Sequence, residues 1–269
     1  MPLPPADSRA SNSPLPARRR SELVRLVCSR GQVTVAEIAS LFDVSADTIR
    51  RDLDALAEQR LLKRTHGGAV AEDSLVGTDA PFLLRKNAQK DAKSRIARAA
   101  ARLIADRETL LINGGSTTLA FAAELGGRSG LTVVTNNLSL PAALPSRAIR
   151  DIYVLGGQVR FEAQVTLGTV GFAGTGSISA DTAVIGVTGI SPAGISASAL
   201  AEAEMTAAML AACRRVIVLA DATKFGRNAF AHIAALDRVH VLVTDAEPPM
   251  ELRLDEAGVE VVRADPAGR

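Results

Sequence analysis

DVSADTIRRDLDALAEQRLLKRTHGGAV, residues 43–70, is the stretch from which the fold of this chain is read. Ile49, Leu53 and Leu56 recur at i, i+4 and i+7, so they share one helical face. Asp47, Arg51 and Asp54 lie on the opposite face, flanked by Thr48 and Arg50. Ser45 is a good N-cap, because its hydroxyl can accept from a free backbone N–H of the first turn. Val44 before it and Ile49 after it are spaced as a hydrophobic staple. The predicted helix docks on its apolar stripe and presents a hydroxyl-rich, basic N-terminal half to a partner. Such an end suits the phosphate-lined groove of a nucleic-acid duplex. Beyond the helix come Leu61–Thr65, then His66-Gly67-Gly68, then Ala69-Val70. Two short strands about a Gly-Gly turn read as a hairpin, with Lys63 and Arg64 on a basic wing.

The residues upstream complete the module. Thr34-Val35-Ala36-Glu37 has the pattern of a capping box. Val35, Ile38 and Phe42 then form a short stripe, with Ala39 small enough for two helices to cross closely. Leu23, Leu26 and Val27 form an earlier stripe, stopped by Gly31. Three helices in roughly fifty residues, with a tight Asp43-Val44-Ser45 turn between the last two, make a helix-turn-helix. An Arg-Arg pair alone is more often a solvated face than a nucleic-acid contact. The capped helices, the turn and the basic wing together favour duplex DNA. The candidate contact residues are Ser45, Asp47, Thr48, Arg50, Arg51, Lys63, Arg64 and His66.

Composition narrows the partners. Net charge is only +2 over 269 residues, which excludes a generic polyanion binder. Residues 1–70 hold 11 Lys+Arg against 8 Asp+Glu, and the excess gathers at Arg18-Arg19-Arg20, Arg50-Arg51 and Arg60–Arg64. With no Trp and one Tyr, the chain lacks the aromatic platforms on which single strands stack. No apolar run approaches the length of a membrane span. The Pro- and Ser-rich start, MPLPPADSRASNSPLPARRR, has no apolar h-region and reads as a disordered tail. Two cysteines, Cys28 and Cys213, and three histidines, His66, His232 and His240, have no ligand spacing. No metal or cofactor is expected, and a cytoplasmic location fits.

After residues 74–92, which read as a linker, the chain alternates helical and strand patterns. Apolar runs at Thr109–Ile112, Leu131–Thr135, Ile152–Leu155, Ala183–Val187, Val216–Ala220 and Val239–Val243 predict strands. Helical stretches at Ile96–Ala105, Leu119–Leu125 and Ala199–Cys213 separate some of them. Short apolar runs between helices predict a mostly parallel sheet covered on both faces. Polar residues collect just after the strands, where open α/β sheets bind ligands. The clearest case is Asn113-Gly114-Gly115-Ser116-Thr117-Thr118, a strand running through two glycines and three hydroxyls into a helix. Glycines let a ligand approach the backbone, and a helix N-terminus offers free N–H groups to an anion. Taken alone, Gly-Gly-Ser is an ordinary turn. It is not a P-loop, since no Gly-Lys pair follows. Thr135, Asn136, Gly156, Gly157, Gly189, Asp221 and Lys224 occupy other strand ends, and their shared placement argues for one crevice. Lys224 is a candidate cation for an anionic sugar, and Asp221 an acceptor for a hydroxyl.

Two groups of motifs resemble one family. VSADTIRRDLDALAEQRLLKRTHGGAV is similar to the helix-turn-helix signature of DeoR-type bacterial transcription regulators. Phe82, Arg85, Asn87 and Lys90 match a spaced F-x-x-R-x-N-x-x-K pattern of the same family. Asn113–Thr118, Val134-Thr135-Asn136, Leu155-Gly156-Gly157, Gly186–Ile190 and Asp221–Gly226 resemble its sensor-domain motifs in order. The resemblance covers residues 19–245. It implies a winged helix-turn-helix at 19–73, after a tail at 1–18, and a Rossmann-like α/β sensor at 93–269. It also implies operator DNA as partner, a phosphorylated-sugar effector and a homo-oligomer, in a repressor of a carbohydrate-catabolism operon. Asn113 departs from the family's usual acid, and Ser116 from its usual Thr. The sensor also resembles ribose-5-phosphate isomerase, so an isomerase-like enzyme is the alternative. That chemistry needs a base and an enediolate stabiliser. The matching loop, Gly186–Ile190, has no carboxylate, so binding without turnover is favoured.

Overall fold

The structure, a computed structural model, describes residues 19–20, 22–24, 26–27, 32–58, 62–65, 67–70, 82–171 and 178–264. It divides into two compact units, Met1–Val76 and Gly77–Arg269. The tail at 1–18, His66 and Cys28 lie outside the described residues.

In the first unit, helical residues at 19–20, 22–24 and 26–27 precede β1 (Gln32–Thr34), α1 (Val35–Phe42), α2 (Ala46–Glu58), β2 (Lys63–Thr65) and β3 (Gly68–Val70). The start of α1 is fixed by its box: Thr34 N donates to Glu37 Oε2 at 2.8 Å, and Glu37 N to Thr34 Oγ1 at 3.3 Å. Its end is Asp43 in the left-handed conformation, φ 51°. Ser45 then caps α2, accepting from Thr48 N at 3.2 Å. The stripes meet as read: Leu23, Val27, Ile38, Ile49, Leu53 and Leu56 are all buried. The wing holds one more strand than the sequence suggests. β3 is central, antiparallel to both β2 and β1. Gly68 is the reason this packing is possible, since a Cβ there would stand 2.0 Å from Val33 O.

The second unit is built on seven parallel strands. They are β4 (Thr109–Ile112), β5 (Leu131–Thr135), β6 (Ile149–Val154), β9 (Ala180–Gly186), β12 (Cys213–Leu219), β14 (Val241–Thr244) and β15 (Glu260–Arg263), in spatial order β15-β14-β12-β9-β4-β5-β6. Adjacent residues of the central strands enter opposite cores, which explains runs that are apolar without alternation. On one side, Leu110, Ile112, Val133, Val184, Ile217 and Val243 pack under α4 (Lys90–Arg102) and α5 (Ser116–Ala123). On the other, Leu111, Val134, Ala183, Ile185, Val216 and Val218 pack against α7 (Leu200–Ala211) and a small antiparallel sheet. That sheet is β10 (Gly189–Ser191), β11 (Gly194–Ala197) and β13 (Ala231–Ala234). A hairpin, β7 (Gln158–Arg160) and β8 (Val165–Leu167), follows β6.

Residues 82–92, read above as part of a linker, are largely helical. α3 spans Phe82–Asn87, α4 begins at Lys90, and Phe82 is buried in the core with Ile96 and Phe121. A short α6 (Leu140–Ala143) completes the helices.

Candidate DNA interface and ligand crevice

The first unit offers one surface of α2. Ser45, Asp47, Arg50 and Arg51 are exposed and Thr48 is half-exposed, while Ile49 and Leu53 anchor the helix. The candidate cations are not equivalent. Arg50 pairs with Asp47 at 2.7 Å, both exposed. Arg64 bonds Asp54 through Nε at 2.8 Å and Gly68 O at 2.9 Å, so it ties β2 to α2 and to β3. Arg51 makes no ion pair among the described residues. The side chain of Lys63 and all of His66 lie outside them.

The basic run at Arg19-Arg20 serves a different purpose from the one its composition suggests. Arg19 Nε donates to Asp52 Oδ2 at 2.6 Å and Arg20 Nε to Asp52 Oδ1 at 2.8 Å. Asp52 is 2% exposed. The pair of arginines thus fastens the first helical segment to α2. The signal for this clamp was present in the sequence: Asp52 stands three residues after Ile49, on the apolar stripe, where a carboxylate needs a partner.

In the second unit the polar strand ends lie along one margin of the sheet, and their side chains fall into two groups. The first is occupied by the fold. Asn113 Nδ2 donates to Gly186 O at 2.9 Å and its Oδ1 accepts from Gly186 N at 2.8 Å, latching the ends of β4 and β9. An aspartate could accept but not donate here. Thr118 Oγ1 donates to Asn113 O at 2.9 Å and Thr135 Oγ1 to Ile112 O at 2.7 Å, both fully buried. The glycines allow close approach of backbone. A Cβ on Gly157, φ 134°, would lie 2.0 Å from Leu167 O, and one on Gly189 would lie 2.4 Å from Arg227 O. These positions let neighbouring backbone close in beside the strand ends. Gly156 has open space beside it.

The second group includes polar atoms that the described residues leave unengaged. Ser116 and Thr117 begin α5, and their hydroxyls have no hydrogen bond among the described residues. Gly115 is the N-cap of that helix and makes no side-chain cap, so its first-turn N–H groups lack intrahelical acceptors. Gly114 lets β8 close over this turn, since a Cβ would meet Val165 Cγ1 at 2.0 Å. Asn136, 5% exposed, donates to Thr166 O at 2.9 Å, while its Oδ1 is buried without a partner. That oxygen is 3.8 Å from the Cβ position of Gly114. Lys224 is half-buried at the end of a 3-10 turn that Asp221 caps, accepting from Thr223 N at 3.0 Å. Asp221 thus uses one carboxylate oxygen, Oδ1, to cap its own turn, and its other oxygen, Oδ2, makes no hydrogen bond among the described residues.

Lys93 was missed in the sequence. The family pattern drew attention to Lys90, which is exposed, whereas Lys93 is 6% exposed. Its Nζ donates to Arg85 O and, at 2.7 Å, to Ala88 O. Burial lowers its pKa to about 8; Asp221 opposes that shift, and Lys224 and Arg85 add to it. Lys93, Lys224, Arg85 and Asp221 thus form one electrostatic cluster with excess positive charge. Lys93 stands three residues before Ile96, on the buried face of α4, and a lysine on an apolar stripe was the available signal. Beside this margin, Met205 Sδ contacts Asn136 Nδ2 at 3.4 Å and also lines an open groove of about 890 Å³ beside α7. No cluster of three His, Cys, Asp or Glu among the described residues is arranged to hold a metal. None of the described helices is long and apolar enough to cross a membrane.

A winged helix-turn-helix in one chain with a parallel α/β unit is the architecture of a DNA-binding transcription regulator. Residues 19–75 match the DeoR-like helix-turn-helix domain, and residues 88–246 match the DeoR C terminal sensor domain. The chain belongs to the DeoR family of transcription regulators, which are DNA-binding proteins and not enzymes. It is 35% identical over 236 residues to the glycerol-3-phosphate regulon repressor of Escherichia coli (strain K12), covering 87% of this chain and 93% of the relative. It is 32% identical over 247 residues to the HTH-type transcriptional repressor CsqR of the same organism, covering 91% and 94%. Among solved structures, a D-ribose-5-phosphate isomerase in complex with phospho-erythronic acid is 22% identical, with a TM-score of 0.37 over 51% of this chain and 54% of that one.

Proposed function

We propose that this protein represses a carbohydrate-catabolism operon and releases it when a phosphorylated sugar binds the crevice. The observation that carries the effector reading is the uncapped first turn of α5. Two hydroxyls with no hydrogen bond among the described residues, Ser116 and Thr117, stand on free N–H groups in a unit that also carries a net positive cluster at Lys93, Lys224, Arg85 and Asp221. That is the chemistry of an anion cradle. Asn136 Oδ1 supplies the complementary half, a buried acceptor that a sugar hydroxyl satisfies. Lys224 takes the charge that Lys93, held by two carbonyls, does not reach. The glycerol-3-phosphate regulon repressors among its relatives support an effector of this class.

Arg51 and Thr48 are the residues of α2 that contact operator, joined by Ser45, Arg50 and Lys63, while Arg64 positions the wing. The protein acts as a homo-oligomer in the cytoplasm. A single recognition helix contacts one half-site, and two linked copies gain affinity through effective concentration. The effector acts by binding the operator-free state more tightly than the operator-bound one. A thermal-shift screen of sugar phosphates, each with its unphosphorylated sugar as control, tests the effector. A ligand at 100 times its Kd raises stability by about 2.7 kcal/mol. The identified sugar phosphate releases operator from wild type but not from Thr117→Val or Lys224→Ala, both of which still bind operator. If both variants respond as wild type does, the crevice is not the effector site.

A further inference from the structure

The seven-stranded sheet ends in two edges that differ in kind. β15 is four residues long, with Glu260 and Arg263 at its ends, and short charged edges discourage strand addition. β6 is six residues, IRDIYV, with neither Pro nor Lys. Ile152, Tyr153 and Val154 are consecutive and stand 39%, 46% and 41% exposed. The charges on β6 are neutralised within the chain. Arg150 Nε donates to Asp151 Oδ2 at 2.9 Å, and its guanidinium also donates to Thr132 Oγ1 at 2.6 Å. The backbone of β6 is used on one side. Leu155 N donates to Thr135 O, and Thr135 is in register with Val154. Residues 151, 153 and 155 therefore turn their peptide groups toward β5. Arg150, Ile152 and Val154 direct theirs away from the sheet, where no described strand pairs with them.

We propose that β6 joins two copies of this chain, pairing antiparallel with the partner's β6 about a two-fold axis at Ile152. The proposal rests on the reading that the regulator is a homo-oligomer, and it names the interface. A strand paired antiparallel with its own copy is isologous by construction, so the contact closes as a dimer. The register follows from charge and hydrogen bonding. An axis at Arg150 or Asp151 would set like charges directly opposite one another, which is destabilising. An axis at Ile152 avoids this and pairs residues 150–154 entirely within the strand. Ile152 then stands opposite the partner's Ile152 and diagonal to the partner's Val154, while Val154 stands opposite the partner's Arg150. On the other face Tyr153 covers the partner's Asp151. The two seven-stranded sheets become one continuous sheet. The outward face of α7 offers Leu200, Ala201, Glu204, Ala208 and Ala211, because Ala203, Met205, Met209 and Leu210 are in the core.

The test uses the full chain with Cys28 and Cys213 replaced by alanine. At a hydrogen-bonded antiparallel pair the Cα atoms are about 5.5 Å apart, within disulfide range. Ile152→Cys should give a disulfide-linked dimer under mild oxidation, whereas Val261→Cys on the opposite edge should not. In the natural background, Ile152→Lys and Val154→Lys should each weaken dimerisation at least tenfold by sedimentation equilibrium. Circular dichroism checks that they remain folded, and the cross-link stands independently if they do not. A wild-type dimer that neither cross-links at position 152 nor responds to the lysine variants overturns this interface while leaving the oligomer reading intact. A wild-type monomer at micromolar concentration, with and without operator, overturns both.

Discussion

Replacing Asp52 with alanine should unfold the DNA-binding unit while sparing the sensor. Its carboxylate, 2% exposed, accepts Arg19 Nε at 2.6 Å on one oxygen and Arg20 Nε at 2.8 Å on the other. The side chains of Arg19 and Arg20 are 9% and 38% exposed. Arg20 can rehydrate, so its share is at most about 1 kcal/mol, as for surface pairs. Arg19 cannot, and removing one partner of a buried pair typically costs about 3–5 kcal/mol through the charge left behind. A unit of this size has a total stability of about 3–5 kcal/mol from its core alone, so the loss is of the same order as the whole. Native-state hydrogen exchange on the full chain reads the two units separately. Protection of α2 amides should collapse, amides of β4 and β12 should be unchanged, and operator binding should vanish. The double variant Arg19→Met, Asp52→Leu should recover much of the stability, because neither charge of the buried Arg19–Asp52 pair remains and Arg20 can rehydrate. Loss of less than 1 kcal/mol of α2 protection in Asp52→Ala would refute the clamp. So would a double variant no more stable than Asp52→Ala.

Further outcomes are expected. Arg51→Ala should weaken operator binding by about 1–3 kcal/mol if it reads a base. Arg64→Ala should lower the thermal stability of the unit as well as its affinity, because Arg64 bonds Asp54 and Gly68; gel shifts beside melting curves separate the two effects. Gly114→Ala should abolish the effector response with operator binding retained, since its methyl would fall 2.0 Å from Val165 Cγ1; an unaltered effector Kd in calorimetry counts against the crevice. Anion binding should raise the pKa of Lys93 from about 8, so effector binding near pH 8 should take up a fraction of a proton and near pH 6.5 none. Calorimetry in buffers of different ionisation enthalpy measures this. The same depressed pKa disfavours the folded state at neutral pH, and that penalty is relieved as pH rises from about 8 toward the ordinary lysine value of 10.5.

What the chain spells out by itself is whatever depends on neighbours a few residues away. The capping box at Thr34, the Ser45 cap, the 49–53–56 stripe and the strands around Leu111, Val133 and Val218 follow from periodicities of 3.6 and 2, which act over single turns or pleats. The glycine-hydroxyl turn after β4 was legible for the same reason. The roles of individual charges were not, because their partners are remote in sequence. Arg19 and Asp52 are 33 positions apart, and Asn113 and Gly186 are 73. A guanidinium looks the same in sequence whether it faces a phosphate, as Arg51 is free to do, or locks a wing, as Arg64 does. Glycines at 68, 157 and 189 similarly mark a close approach without naming the approaching backbone, which is Val33, Leu167 or Arg227. Tertiary packing decided that Lys93 rather than Lys90 joins the charge cluster, because only one of them lies on the face of α4 turned to the core. It also decided which strand becomes the open edge. The order of strands in a parallel sheet is set by how the crossover helices pack, a choice no local pattern contains.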